Sequence, residues 1–111
     1  MKAIRVGLLL GALAVLLVAV NLGLHWGANL HSVTLQWGPP PSTPGIVTVG
    51  YNVYRSTGTG SQYSRVATRV SAREFEDHEV RSRGTYFYVV TSIDQTGRES
   101  GYSAEVKAEV P

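Results

Sequence analysis

The 111-residue chain has no cysteine. That excludes disulfides, thiol nucleophiles, thiolate metal sites and the lipid-modified cysteine of a bacterial lipoprotein. Leucine is missing beyond Leu35, although ten occur up to that point. Charge is nearly absent from the first half, where Lys2 and Arg5 are the only charged residues before Arg55. From residue 25 onward eight basic side chains balance eight acidic ones, so the whole net charge of +2 lies in the first five residues. The isoelectric point of 9.2 therefore does not describe a basic face, and a nucleic-acid partner is excluded. Asn-x-Ser/Thr does not occur, so there is no N-glycosylation signal. The length leaves room for one small domain and an N-terminal segment, and too little for a typical catalytic domain.

What is present divides in two. Residues 6–24 hold 15 apolar residues in 19 and no charge, whereas residues 25–111 hold 30 in 87. Nineteen residues in a helix span about 28 Å, the thickness of a bilayer's hydrocarbon core. Lys2 and Arg5 flank this run on one side, which sets the N-terminus in the cytoplasm and the rest outside. Residues 1–24 are thus expected to form a hydrophobic helix, either a signal peptide or an uncleaved transmembrane anchor. Residues 25–30 are expected to be a short linker or the stub of a first strand, with Trp26 at the interfacial position. The expected location is the cell envelope or the extracellular space.

From residue 31 the apolar pattern has period two. Val33, Leu35 and Trp37 share a face, as do Val47, Val49, Tyr51 and Val53. Tyr86, Tyr88 and Val90 share one face of an apolar run, with Phe87, Val89 and Ile93 on the other, which marks a central strand. Tyr102, Ala104, Val106, Ala108 and Val110 alternate with Ser103, Glu105, Lys107 and Glu109, as in a half-buried antiparallel strand. Two weaker strands are expected at 63–70 and around Phe75. Turn segments separate these runs. Residues 38–45 hold four of the five prolines, 56–61 and 94–100 are glycine-containing loops, and 81–84 ends in Gly84, read as a left-handed turn position. Short strands at this spacing mean a sandwich or barrel.

In order, "HSVTLQW", "GYNVYRS", "YSRVAT", "FEDHEV", "GTYFYVVTSIDQTGRES" and "YSAEVKAEVP" resemble strands B, C, C′, E, F with the F–G loop, and G of a bacterial-type fibronectin type III domain. The resemblance spans residues 31–111. It implies an all-β, immunoglobulin-like sandwich of six to seven antiparallel strands, with strand A short or missing behind the N-terminal helix. It implies a core of Val33, Leu35, Trp37, Tyr51, Val53, Tyr86, Tyr88, Val90 and Val106. Tyr86 stands at the family's tyrosine corner, where its hydroxyl is expected to bond backbone in the E–F connection. Val80 is expected to close the core before that turn. The integrin-binding Arg-Gly-Asp of some members is absent, because the F–G loop reads "DQTGRES".

No catalytic, cofactor or metal residues are identified. The acidic run 74–80, with His78, fits no metal-loop spacing and reads as a solvated strand edge in which Asp77 caps a turn. "TGTG" (57–60) lacks the lysine and helix of a phosphate cradle. The chain is therefore read as a non-enzymatic exported or membrane-anchored module for protein or surface interaction, or for spacing. Its candidate surface is Tyr54, Phe87, Val89, Ile93, Thr96, Gly97 and Arg98, facing an unidentified protein or glycan. The membrane is a further partner through residues 6–24 if they are retained. Two other readings stand beside this one. The first is self-assembly by strand addition at the sheet edge that a short strand A leaves open. The second is a carbohydrate-related accessory module or a fragment of a longer multi-module protein.

Overall fold

The computed structural model describes residues 2–10, 13–25, 28–60 and 62–111, with backbone only up to residue 30. Among these residues it is all-β and has no helix. Strands β1 (Lys2–Leu10), β2 (Leu13–His25), β3 (Ala28–Trp37) and β6 (Glu74–Asp77) form one antiparallel sheet in the order β1-β2-β3-β6. Strands β5 (Ser64–Val70), β4 (Thr48–Ser56), β7 (Thr85–Asp94) and β8 (Val106–Glu109) form the second, in the order β5-β4-β7-β8. The strands read as B, C, C′, E, F and G are β3 to β8 in turn.

The N-terminal segment departs from the expected helix. Lys2–Leu10 and Leu13–His25 are strands, and among the described residues no helix is long and apolar enough to cross a membrane. A continuous apolar run is as compatible with a strand as with a helix, and β3 offers such a run an unpaired edge. β2 pairs along it from His25↔Ala28 to Leu17↔Gln36. β2 therefore occupies the place of strand A, and β3 is flanked on both sides. The edge of β3 on which the self-assembly reading rested is occupied by β2, and the sheet ends at β1 instead. Trp26, assigned above to a membrane interface, lies outside the described residues.

The core lies between the sheets. Val33, Leu35 and Trp37 of β3 meet Tyr51 and Val53 of β4, Tyr86, Tyr88 and Val90 of β7, and Val106 and Ala108 of β8, with Val80 and Val110 closing one end. Trp37 meets Tyr51 edge to face at 5.5 Å. The Trp37 indole N–H is buried without an acceptor. Leaving a donor unbonded costs about 1–3 kcal/mol. Burying an indole removes roughly 200 Å² from water, worth about 5 kcal/mol, so the apolar term prevails. Val47 and Val49 share the parity of Tyr51 and Val53 but are exposed, because the register shifts between Thr48 and Gly50 and the strand runs past the core.

A charged clamp crosses the core. Asp77 at the end of β6 is 2% exposed. Its carboxylate accepts two bonds from Arg55 of β4, at 3.0 and 2.8 Å, and one from the Tyr88 hydroxyl of β7, at 2.7 Å. It also accepts the Glu79 N–H at 3.0 Å, turning the chain out of β6. Burial disfavours the Arg55 charge, yet the Asp77 carboxylate holds the guanidinium above its ordinary value. Burial, and then the bond to Asp77, raise the Tyr88 phenol so far that it remains a donor at any ordinary pH.

The tyrosine corner is present. The Arg81 N–H donates to the Tyr86 hydroxyl at 2.9 Å. Gly84 is required for room and not for a left-handed backbone. The positive φ belongs to Arg83 (63°), while a Cβ on Gly84 would stand 2.6 Å from the Tyr86 ring.

Two outcomes are expected in chemical denaturation. Asp77→Ala should cost about 3 kcal/mol, because it strands a half-buried guanidinium, whereas Tyr88→Phe should cost about 1.5 kcal/mol. A smaller loss from the alanine than from the phenylalanine would contradict the clamp. Gly84→Ala and Tyr86→Phe should each destabilise, and the double variant should lose less than the sum, since a phenylalanine ring no longer tied to the Arg81 N–H is freer to shift away from a Cβ on residue 84.

Candidate functional site

The residues proposed from the sequence as a surface do not form one. Tyr54 and Val89 are register partners on the outer side of the β5-β4-β7-β8 sheet, but Val89 is 2% and Ile93 5% exposed. Neighbouring side chains cover both. Phe87 is half-buried against Ser56 and Lys107 on the flanking strands. Thr96, Gly97 and Arg98 are exposed at the tip of the β7–β8 connection, far along the sheet from Phe87. That tip is held internally. Asp94 Oδ1 accepts the N–H groups of Thr96 and Arg98 and the Thr96 hydroxyl. Gln95 clamps the tip to Val47 and Gly45 of the proline-rich loop. Between these loops lies an open hollow of about 540 Å³, walled by Pro39, Pro40, Pro41, Ile46 and Val47.

The outer face of the sheet holds a different constellation, centred on Tyr102. This side chain is 50% exposed and stands edge-on to two other tyrosines. Its ring centroid lies 5.3 Å from Tyr54, with 65° between the planes, and 5.2 Å from Tyr63, with 64° between the planes. Each flanking phenol is tied to a carboxylate. Tyr54 donates to Glu99 Oε2, which also accepts from Thr91 at 2.6 Å and Asn52 at 3.1 Å. Tyr63 donates to Glu105 Oε2, which also accepts the Gly60 N–H at 2.7 Å, while Thr59 donates to Oε1. Beside the ladder is a second shallow hollow of about 500 Å³, with Val89 at its floor and Tyr63, Tyr102 and Glu105 at its rim.

The electrostatics follow from these bonds. The Thr91 and Tyr54 hydroxyls hold Glu99 below the usual carboxylate range. Burial opposes ionisation of Glu105, yet Thr59, Tyr63 and Gly60 together hold it below that range too. Burial and the bond to Glu105 push the Tyr63 phenol up to about 12. Burial and Glu99 raise Tyr54 as well. Both pairs are therefore phenol donating to carboxylate at neutral pH. Because the carboxylate pKa values are depressed in the folded chain, this contribution is complete above the ordinary carboxylate range and is lost only as pH falls through the lowered values.

Sequence reasoning included Tyr54 but missed Tyr63, Tyr102, Glu99 and Glu105. Strict alternation assigned Tyr102 to the core. The structure turns it outward because Ser100 and Ser103 both anchor to β7. The Ser100 N–H reaches Ser92 O and the Ser103 N–H reaches Val90 O, both at 2.8 Å. Three residues on one side thus match two on the other, and the extra residue reverses the pleat. The signal was the serine spacing on either side of Gly101-Tyr102.

Among the described residues no catalytic constellation is assembled. His78 is exposed and pairs with Glu76 at 2.8 Å. Among the described residues no group of three or more His, Asp and Glu is placed to hold a metal ion. What the face can do chemically is present aromatic surface and carboxylate oxygens, held in fixed positions.

No family model matches the chain. A segment of 60 residues, 54% of the chain, is 43% identical to an amylopullulanase of Thermoanaerobacter thermohydrosulfuricus and spans 4% of that protein's length. A fibronectin type III domain of the human KIAA0970 protein superposes with a TM-score of 0.64 over 92% of this chain and 74% of that one, at 18% identity, which shows the fold. The crystal structure of an Fn3-like protein from Clostridium thermocellum is 32% identical with a TM-score of 0.62, covering 72% of this chain and 77% of that one. With the paired sheets, the Trp37 core and the Tyr86 corner already in place, this likeness assigns the chain to the fibronectin type III family.

Proposed function

We propose that the chain is a non-catalytic accessory module of an exported system that acts on glucan polysaccharide. The observation that carries this reading is the 43% identity to a short segment of amylopullulanase, a protein named for action on pullulan and amylose-type glucan. A segment making up 4% of such a protein is an accessory part of it, and a fibronectin type III sandwich acts by displaying surface or setting distance. The internally bonded loops and the two-sheet clamp suit a rigid spacer. The geometry also favours this reading over attachment through the β7–β8 tip, whose polar groups are largely used within the tip itself.

The reading includes a position outside the cytoplasm. It is supported by Lys2 and Arg5 ahead of an uncharged apolar run, a pattern read on the unfolded chain before residues 2–25 can pair as strands. N-terminal sequencing of the protein recovered from envelope and medium tests this. Recovery only from the cytosol would overturn it.

The accessory role has its own test. Incubated alone with granular starch or pullulan, the chain should release no reducing sugar. Added to an amylopullulanase acting on granular starch, it should raise the rate of sugar release. An unchanged rate over a wide range of module concentration would count against the reading.

A further inference from the structure

The tyrosine ladder has features that a spacer does not need. Partly exposed tyrosines on a sheet face ordinarily keep rotamer freedom, yet Tyr54 and Tyr63 are each fixed by a carboxylate that other groups of the sheet and loop also hold. Fixing a side chain before a ligand arrives removes an ordering cost of about 0.5–1.5 kcal/mol per side chain from binding. Tyrosine suits such a surface because it offers a large amphipathic contact for two torsions.

We infer that the Tyr54–Tyr102–Tyr63 ladder is a binding site for a neutral, α-linked glucan chain. The inference rests on the accessory-module reading and assigns that reading a face.

Three observations select the ligand. The first is aromatic area beside hydrogen-bond acceptors. The C–H face of a pyranose packs on a ring, while its hydroxyls donate to acceptors such as Glu99 Oε1, which accepts no hydrogen bond among the described residues, unlike Oε2. The second is charge. Glu99 and Glu105 are held ionised at the two ends of the ladder, and Arg65, the register partner of Tyr54, offsets only one of the two charges, so these groups offer no net positive charge to recruit uronic-acid polymers, phosphates or other anions, and a neutral polyol fits them better. The third is shape. Successive rings meet at 65° and 64° and are not coplanar. A flat β-1,4-linked ribbon needs coplanar faces to stack along its length. A chain that turns from residue to residue, as α-linked glucans do, can follow a stepped surface. The hollow over Val89, beside Tyr102 and Tyr63, gives such a chain a place to descend between steps.

The test is affinity electrophoresis of the full chain in native gels containing soluble starch, pullulan or hydroxyethylcellulose. The wild type should be retarded by starch and pullulan and not by hydroxyethylcellulose. Tyr102→Ala, a change at a half-exposed ring, should weaken the retardation at least tenfold with an unchanged thermal midpoint. Glu99→Gln, which keeps the volume and removes the charge, should weaken it less than Tyr102→Ala. Glu76→Ala, at an exposed position on β6 of the other sheet, should leave it unchanged. Retardation of Tyr102→Ala equal to the wild type would overturn the ladder as the site while leaving the accessory reading in place. Equal retardation by hydroxyethylcellulose would overturn the α-linked assignment. No retardation by any of the three would overturn the binding site, and the rate enhancement of granular-starch hydrolysis then decides the accessory reading separately.

Discussion

Asp77 holds a carboxylate between two sheets with almost no exposure to water. A buried charge is tolerable only where opposite charge and hydrogen-bond donors surround it, and here they come from β4, β7 and the chain leaving β6. The clamp therefore acts as a positional constraint more than as a source of stability. Two packed apolar faces can slide with modest loss, because dispersion and the hydrophobic effect are nearly non-directional. A carboxylate with four directed bonds cannot. It ties the short strand β6 to the centre of the opposite sheet and fixes how the two layers face each other.

The outer face inherits that order. Arg55, which reaches inward to Asp77, follows Tyr54, which reaches outward to Glu99. The same stretch of β4 thus has one residue anchored in the core and its neighbour anchored on the surface. On β7, Tyr88 donates inward to Asp77, while Val89 beside it underlies Tyr54 and the second hollow. Alternation along a strand transmits a fixed position from one face to the other. This is why an exposed group of tyrosines can hold defined angles on a sheet without covalent staples. Carboxylates do on the surface what a disulfide would do elsewhere, and the chain has no cysteine to make one.

Legibility in the sequence followed the regularity of the backbone. Where strands run unbroken, as in Val33–Trp37 and Tyr86–Val90, period-two reading places each side chain on its observed side. The clamp was half visible. Asp77 was read as a turn cap, which it is, but its bonds to Arg55 and Tyr88 cross 22 and 11 residues of sequence and have no local signature. Gly84 was seen as special for the wrong reason, since backbone freedom and the room left by a missing Cβ look alike in sequence. The apolar N-terminal run was ambiguous in principle, because a continuous run carries no period to separate helix from strand. Its pairing with β3 is a tertiary fact. The candidate surface failed at Val89 and Ile93 because a central strand is covered on both faces, and the covering side chains come from distant parts of the chain.

The ladder depends on one irregularity. Had residues 100–110 continued the pleat of β8 without interruption, Tyr102 would point into the core beside Ala104, and the gap between Tyr54 and Tyr63 would be empty. Ser100 and Ser103 prevent this by bonding the backbone of β7 with hydroxyls as well as with their own N–H groups. The Ser92 N–H reaches Ser100 Oγ at 2.8 Å and the Val90 N–H reaches Ser103 Oγ at 2.9 Å. The serines thus satisfy β7 where a regular strand would have done so, and the extra residue leaves the ladder without stranding a buried donor. A bulge that keeps the β7 donors at Val90 and Ser92 bonded is an inexpensive way to move a large side chain from core to surface. The outer face of this sandwich thus owes its central aromatic ring to two small hydroxyl residues bonded to β7.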